Sequence, residues 1–84
     1  MPDFDLIGYL NKQIVEYDTF IADPNLPEHI RKEFEYFRAF AEWFRATNSE
    51  VSIEEISRLA VVRDTKLAEA DKATNIYVQN HTAH

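Results

Sequence analysis

The chain has no cysteine, one glycine (Gly8), three prolines and one tryptophan in 84 residues. Without cysteine there can be no disulfide and no thiolate metal site, and the composition suits a reducing, cytoplasmic setting. So few turn-forming residues argue against a β architecture, which needs glycine and proline at its many reversals. They also exclude the glycine-rich loops that cradle phosphates. Apolar runs are only a few residues long and the amino-terminal Met1-Pro2-Asp3-Phe4-Asp5 carries no basic group, so neither a membrane span nor a signal peptide is expected. Positive charge is scarce as well: nine basic against fifteen acidic side chains give a formal charge of −6. Such a field disfavours nucleic acid and anionic lipid and favours a basic partner.

What is present is helical periodicity. Ile7, Leu10, Ile14, Tyr17 and Ile21 recur at three- and four-residue steps and predict a first helix over about 5–22, with Asp3 or Asp5 as N-cap. Asp23-Pro24 ends it, since proline disfavours helical geometry in the residue before it. A second helix is expected over about 27–47, opened by Pro27 and by an Asn25/Glu28 capping box. Its stripe of Ile30, Phe34, Phe37, Ala41 and Phe44 reads as core, with Phe34, Phe37 and Phe44 needed for folding, and Glu35/Arg38 and Glu42/Arg45 read as solvated i,i+3 pairs. Ser52 and Glu55 form a Ser-x-x-Glu capping box, with Val51 and Ile56 as its hydrophobic staple, so a third helix begins at Ile53. Ile56, Ala60, Leu67, Ala70 and Tyr77 carry one stripe to about residue 79, interrupted by Arg63 and Thr74. The expectation is therefore an all-α single domain over 1–79, three helices, or four if the third breaks near 61–64, with 80–84 as a flexible tail. A continuous third helix would overhang the domain with Ala70, Ala73, Ile76, Tyr77 and Val78, and dimerisation would complete the bundle.

The segment from Ile53 to Leu67 resembles the helix-turn-helix module of bacterial regulators. Ile56, Ala60, Val62, Leu67 and Ala70 fall at its apolar positions and Ser57 at its small-residue position. The resemblance covers about a quarter of the chain and implies a bend at Val61, where such modules usually have glycine; it implies DNA binding through residues 53–72. Three basic and three acidic residues between Arg63 and Lys72 cancel one another, which leaves little to neutralise phosphates, so nucleic acid is not the expected partner.

No catalytic set emerges. The carboxylate pairs Asp3/Asp5, Glu33/Glu35 and Glu54/Glu55 read as surface or as favourable charge at helix starts, and no serine or threonine sits in a nucleophile setting. His81-x-x-His84 on a tail and the distant His29 give no ligand spacing of note, so neither metal nor cofactor is expected. Acidic mimicry of DNA would need uninterrupted carboxylate stripes, whereas the acids of helix two alternate with Arg and Lys. There remains the excess of aromatic surface. Tyr36, Phe40 and Trp43 widen the face of helix two beyond what one neighbour covers, and with Ile76 and Tyr77 they are the candidate partner-binding residues. The expected function is a non-enzymatic protein-interaction module, a regulator, adaptor or inhibitor of the phage type, that docks on a protein partner or on a second copy. A minor subunit of a larger assembly is the further alternative.

Overall fold

The computed structural model describes residues 4–82. It is all-helical over that range: α1 (Leu6–Ile21), α2 (Glu28–Thr47) and α3 (Ile53–Thr82). Asp5 caps α1, its carboxylate accepting from the Gly8 amide at 2.9 Å. Asp3, the other candidate cap, lies outside the described residues. Arg31 closes the far end of α1 by donating to the carbonyl of Ile21 at 3.2 Å, which the helix leaves open, and to that of Asp23 in the following turn at 2.7 Å.

The Asn25/Glu28 capping box does not form. Asp23 captures the Asn25 amide at 2.9 Å in a local turn, and α2 starts after Pro27 with no side-chain cap. At α3 the forward half of the expected box is made, the Glu55 amide donating to Ser52 Oγ at 3.1 Å; the Glu55 carboxylate turns to Arg58 instead. From there α3 is one continuous helix of 30 residues. The bend implied by the helix-turn-helix resemblance is absent, because Val61 has no reason to leave αR geometry and no glycine is there to reverse the chain. The helix also runs past the expected end at residue 79: Asn80, His81 and Thr82 continue it, Thr82 Oγ1 donating back to the Val78 carbonyl. Residues 83 and 84, the rest of the expected tail, lie outside the described range.

The layout of the helices is the feature that sequence periodicity did not convey. α2 packs against α1 on one side and α3 on the other, and no Cα of α1 lies within 8 Å of a Cα of α3. The three helices make a layer rather than a closed bundle, with dimensions of 53 × 30 × 23 Å. Its radius of gyration is 15.3 Å, where a compact chain of this length would have about 12 Å. The buried apolar residues are correspondingly few and small: Leu10, Ile14 and Leu59, with Ala39, Ala41, Ala46 and Ala70. Leu10, Ile14 and Ala41 form the α1–α2 seam, with Leu6 and Tyr17 packed beside them.

Two expectations change as a result. Phe37 and Phe44, read as core, are 42% and 37% exposed, because the stripe they occupy runs between the two neighbours of α2 rather than beneath either. The overhang of α3 shrinks, since Ala70 is buried and Tyr77 reaches the first turn of α2, stacking on His29 at 3.8 Å.

The candidate interaction face

Because α1 and α3 flank α2 on opposite sides, the layer has two faces, and they differ in chemistry. One carries charge. Arg38 bridges Asp18 of α1 at 2.5 Å and Glu42 one turn along α2; Lys66 of α3 reaches Glu35 at 3.3 Å, and Arg45 donates to Asn11 at 2.8 Å. The pairs expected within α2, Glu35/Arg38 and Glu42/Arg45, are not made, since these side chains find partners on the flanking helices or one turn further along. Asp18, hydrogen-bonded to Arg38, raises the guanidinium's pKa above its ordinary value, against the lowering effect of partial burial.

The opposite face is aromatic. A groove of about 310 Å³ runs between α1 and α2, lined by Tyr9, Leu10, Gln13 and Tyr17 from α1 and by Tyr36, Phe37, Phe40, Ala41 and Phe44 from α2. Helical spacing accounts for it. Phe37, Phe40 and Phe44 stand at i, i+3 and i+7 and form one stripe, while Tyr9, Gln13 and Tyr17 at i, i+4 and i+8 form the facing edge. The rings touch along the stripe, Tyr36 to Phe40 at 6.2 Å, Phe40 to Phe44 at 6.1 Å, and Tyr17 to Phe37 at 6.0 Å between the helices. Edge-on and tilted contacts of this kind order the rings without removing them from solvent.

The five residues singled out from the sequence are divided among three places. Tyr36 and Phe40 line the groove. Trp43 turns toward α3, where the Arg63 guanidinium lies 4.3 Å over its ring. Ile76 and Tyr77 sit at the other end of α2, in a hollow shared with Pro27, His29 and His81, about 16 Å along the helix from Phe40 at 1.5 Å per residue. Tyr77 there is sandwiched between the rings of His29 and His81, at 3.8 and 3.9 Å. His81 is thus engaged within its own region, and His84 lies outside the described residues. Among the described residues no group of three or more His, Asp or Glu is placed to hold a metal ion, and no helix is long and apolar enough to cross a membrane.

Sequence reasoning overlooked Tyr9 and Gln13. The signal was available, since each stands one residue before a core position of α1 (Leu10, Ile14) and so belongs to the flank of that stripe. Only knowledge that α3 leaves this flank uncovered would have marked it. The chain matches no family model, no curated protein and no solved structure.

Proposed function

We propose that this protein is a non-enzymatic interaction module, a small regulator, adaptor or inhibitor that docks its aromatic α1–α2 face on a protein partner. The observation that carries this reading is the exposure of Phe37, Phe40 and Phe44, 42%, 38% and 37%, in one continuous stripe on a chain whose buried core is mostly alanine. Scattered apolar residues on a surface are ordinary, but a contiguous aromatic stripe beside a groove is typical of a docking site. Surface area supports the same reading. The chain exposes 6066 Å², where a folded monomer of 9.9 kDa exposes about 5,200 Å². The excess, roughly 900 Å², is close to what one partner contributes to a standard interface.

A helix laid into the groove would give the α1–α2 pair the third neighbour that α3, on the far side of α2, does not provide. A second copy of the chain could fill the same role, which is the dimer-completed bundle expected from the sequence. A cytoplasmic setting suits a chain without cysteine. The test is comparative capture with the intact protein and a Phe37→Ala/Phe40→Ala variant, both checked for helicity by circular dichroism. Loss of a bound protein by a variant that stays helical supports the docking face. An unchanged set of bound proteins and an unchanged sedimentation mass would remove its basis.

A further inference from the structure

We propose, resting on the docking reading above, that the occupant of the α1–α2 groove is the same face of a second copy of this chain, paired about a two-fold axis. Such a pairing sets one patch against an identical patch, so the patch must be complementary to itself. The chemistry of the groove meets that condition. No charged side chain lines it, so pairing brings no like charges together inside it. Its side-chain polar groups are the hydroxyls of Tyr9, Tyr17 and Tyr36 and the amide of Gln13. A phenol hydroxyl and a carboxamide both donate and accept, so each can bond to its own kind on the other copy, which an ammonium or a carboxylate cannot.

Shape meets it too. The exposed stripe of Phe37, Phe40 and Phe44 forms one wall of the groove. A two-fold axis that lays this stripe into the groove of the second copy also lays the second copy's stripe into the first groove, so both are covered at once. The result is a four-helix core, α1 and α2 of each chain, with α3 of each at its flank. The chain has reason to gain one. Its buried residues, among those described, are four alanines with Leu10, Ile14 and Leu59, and association is a common way for so small a fold to add core. The area agrees, since an excess of roughly 900 Å² on each of two chains amounts to about 1,800 Å², within the range of about 1,600 ± 400 Å² that stable complexes bury.

The charge of −6 opposes pairing only at a distance. Asp18, Glu35, Arg38, Glu42 and Lys66 pair with one another on the opposite face, across the thin dimension of a layer measuring 53 × 30 × 23 Å. Around the groove the charge is not of one sign: Lys12 and Glu16 stand one turn apart on α1, and Glu33 of α2 is engaged by Thr74 of α3 at 3.5 Å. Repulsion between two acidic chains over more than the Debye length of about 8 Å is screened at physiological salt, so added salt should tighten the pair, where it would loosen a basic partner.

The test is sedimentation equilibrium of the full chain from about 1 μM to about 1 mM, at low and at high salt. The mass is expected to rise from 9.9 kDa toward twice that value, and to do so at lower protein concentration in high salt. Phe40→Glu, which sets a carboxylate on the stripe of both copies, should weaken the dimer at least about tenfold, with helicity retained because the ring is exposed in the single chain. Ile76→Ser, in the hollow at the other end of α2, should leave the dimer unchanged. Isotope-filtered NOEs in a mixture of labelled and unlabelled chains should join the stripe of one copy to Tyr9, Gln13 or Tyr17 of the other, and these decide the matter if Phe40→Glu does not fold. A dimer lost with Ile76→Ser but kept with Phe40→Glu overturns the proposal, and so do filtered NOEs that avoid the groove. A mass of 9.9 kDa throughout overturns the second copy as occupant. The capture comparison above then separates the two readings: a bound protein lost with Phe37→Ala/Phe40→Ala keeps the docking face for a different chain, and unchanged capture removes the face as well.

Discussion

At Gly8 two helix-stabilising effects compete. A Cβ there would lie 2.4 Å from Asp5 Oδ2, the carboxylate that caps α1 through the Gly8 amide. Gly8→Ala should gain about 1 kcal/mol of helix propensity, while displacing the cap should cost about 1 kcal/mol. The expected net change in urea denaturation is within about 0.5 kcal/mol, whereas the same substitution in an Asp5→Ala background should stabilise by about 1 kcal/mol. Equal gains in both backgrounds would show that the cap and the methyl group do not compete. A second expectation at this scale concerns Glu55. Its hydrogen bond from Arg58, at 2.5 Å, holds the carboxyl below its ordinary value of 4.5. A lowered native value means that the pair's contribution is complete above the ordinary carboxyl range and is lost as pH falls through the native value. An NMR titration should therefore find Glu55 titrating below the ordinary carboxyl value, and Arg58→Ala should bring it back. An unchanged Glu55 midpoint in that variant would rule out the pair as the cause.

At the scale of the helices, what could be read from the sequence follows how local each signal is. The Asp5 and Ser52 caps act within one turn, and both form. The apolar stripe of α1 faces a single neighbour, so Leu10 and Ile14 are buried as their spacing implies. In α2 the same logic fails because two helices flank it on opposite sides, and the centre of its hydrophobic arc, Phe37 and Phe44, falls between them. Arg63 and Thr74 looked like breaks in the stripe of α3. Each is accommodated at the α2–α3 seam, Arg63 over Trp43 and Thr74 against Glu33, so neither ends the helix. The end of α3 carried no stop signal at all, with no glycine or proline after Pro27 to supply one. The candidate site was half legible, since Tyr36 and Phe40 are groove residues but their α1 counterparts depend on the path of the chain. At the α2–α3 seam, Ala39, Ala46 and Ala70 permit close approach of the two helices. Ala70→Leu should force them apart and cost about 1–3 kcal/mol, read as a lowered urea midpoint with helical content retained below the transition. A neutral result would mean that the seam has room the alanines do not fill.

On the scale of the whole molecule, the layer makes α1 the weakest member. Its backbone packs against α2 alone, held by a seam of Leu10, Ile14 and Ala41, the rings of Tyr17 and Phe20 on Phe34 and a few polar bridges, whereas α3 runs the length of α2. Native-state amide exchange should therefore show α1 opening at a lower free energy than α2 and α3. Ile14→Ala should lower the α1 value by about 2–5 kcal/mol and the α2–α3 value by much less. Equal losses in all three helices would mean that the layer opens as one cooperative unit. The groove couples this motion to binding, because its two walls are α1 and α2 and it exists only while α1 is docked. A peptide that occupies it at about 100 times its Kd should raise the α1 opening free energy by about 2.7 kcal/mol, up to the limit set by α2–α3. Protection that instead rises evenly over α3, with α1 unaffected, would place the binding surface elsewhere on the layer. The uncovered aromatic stripe and the loosely held first helix are thus two consequences of one arrangement: an α1–α2 pair without a third helix of its own.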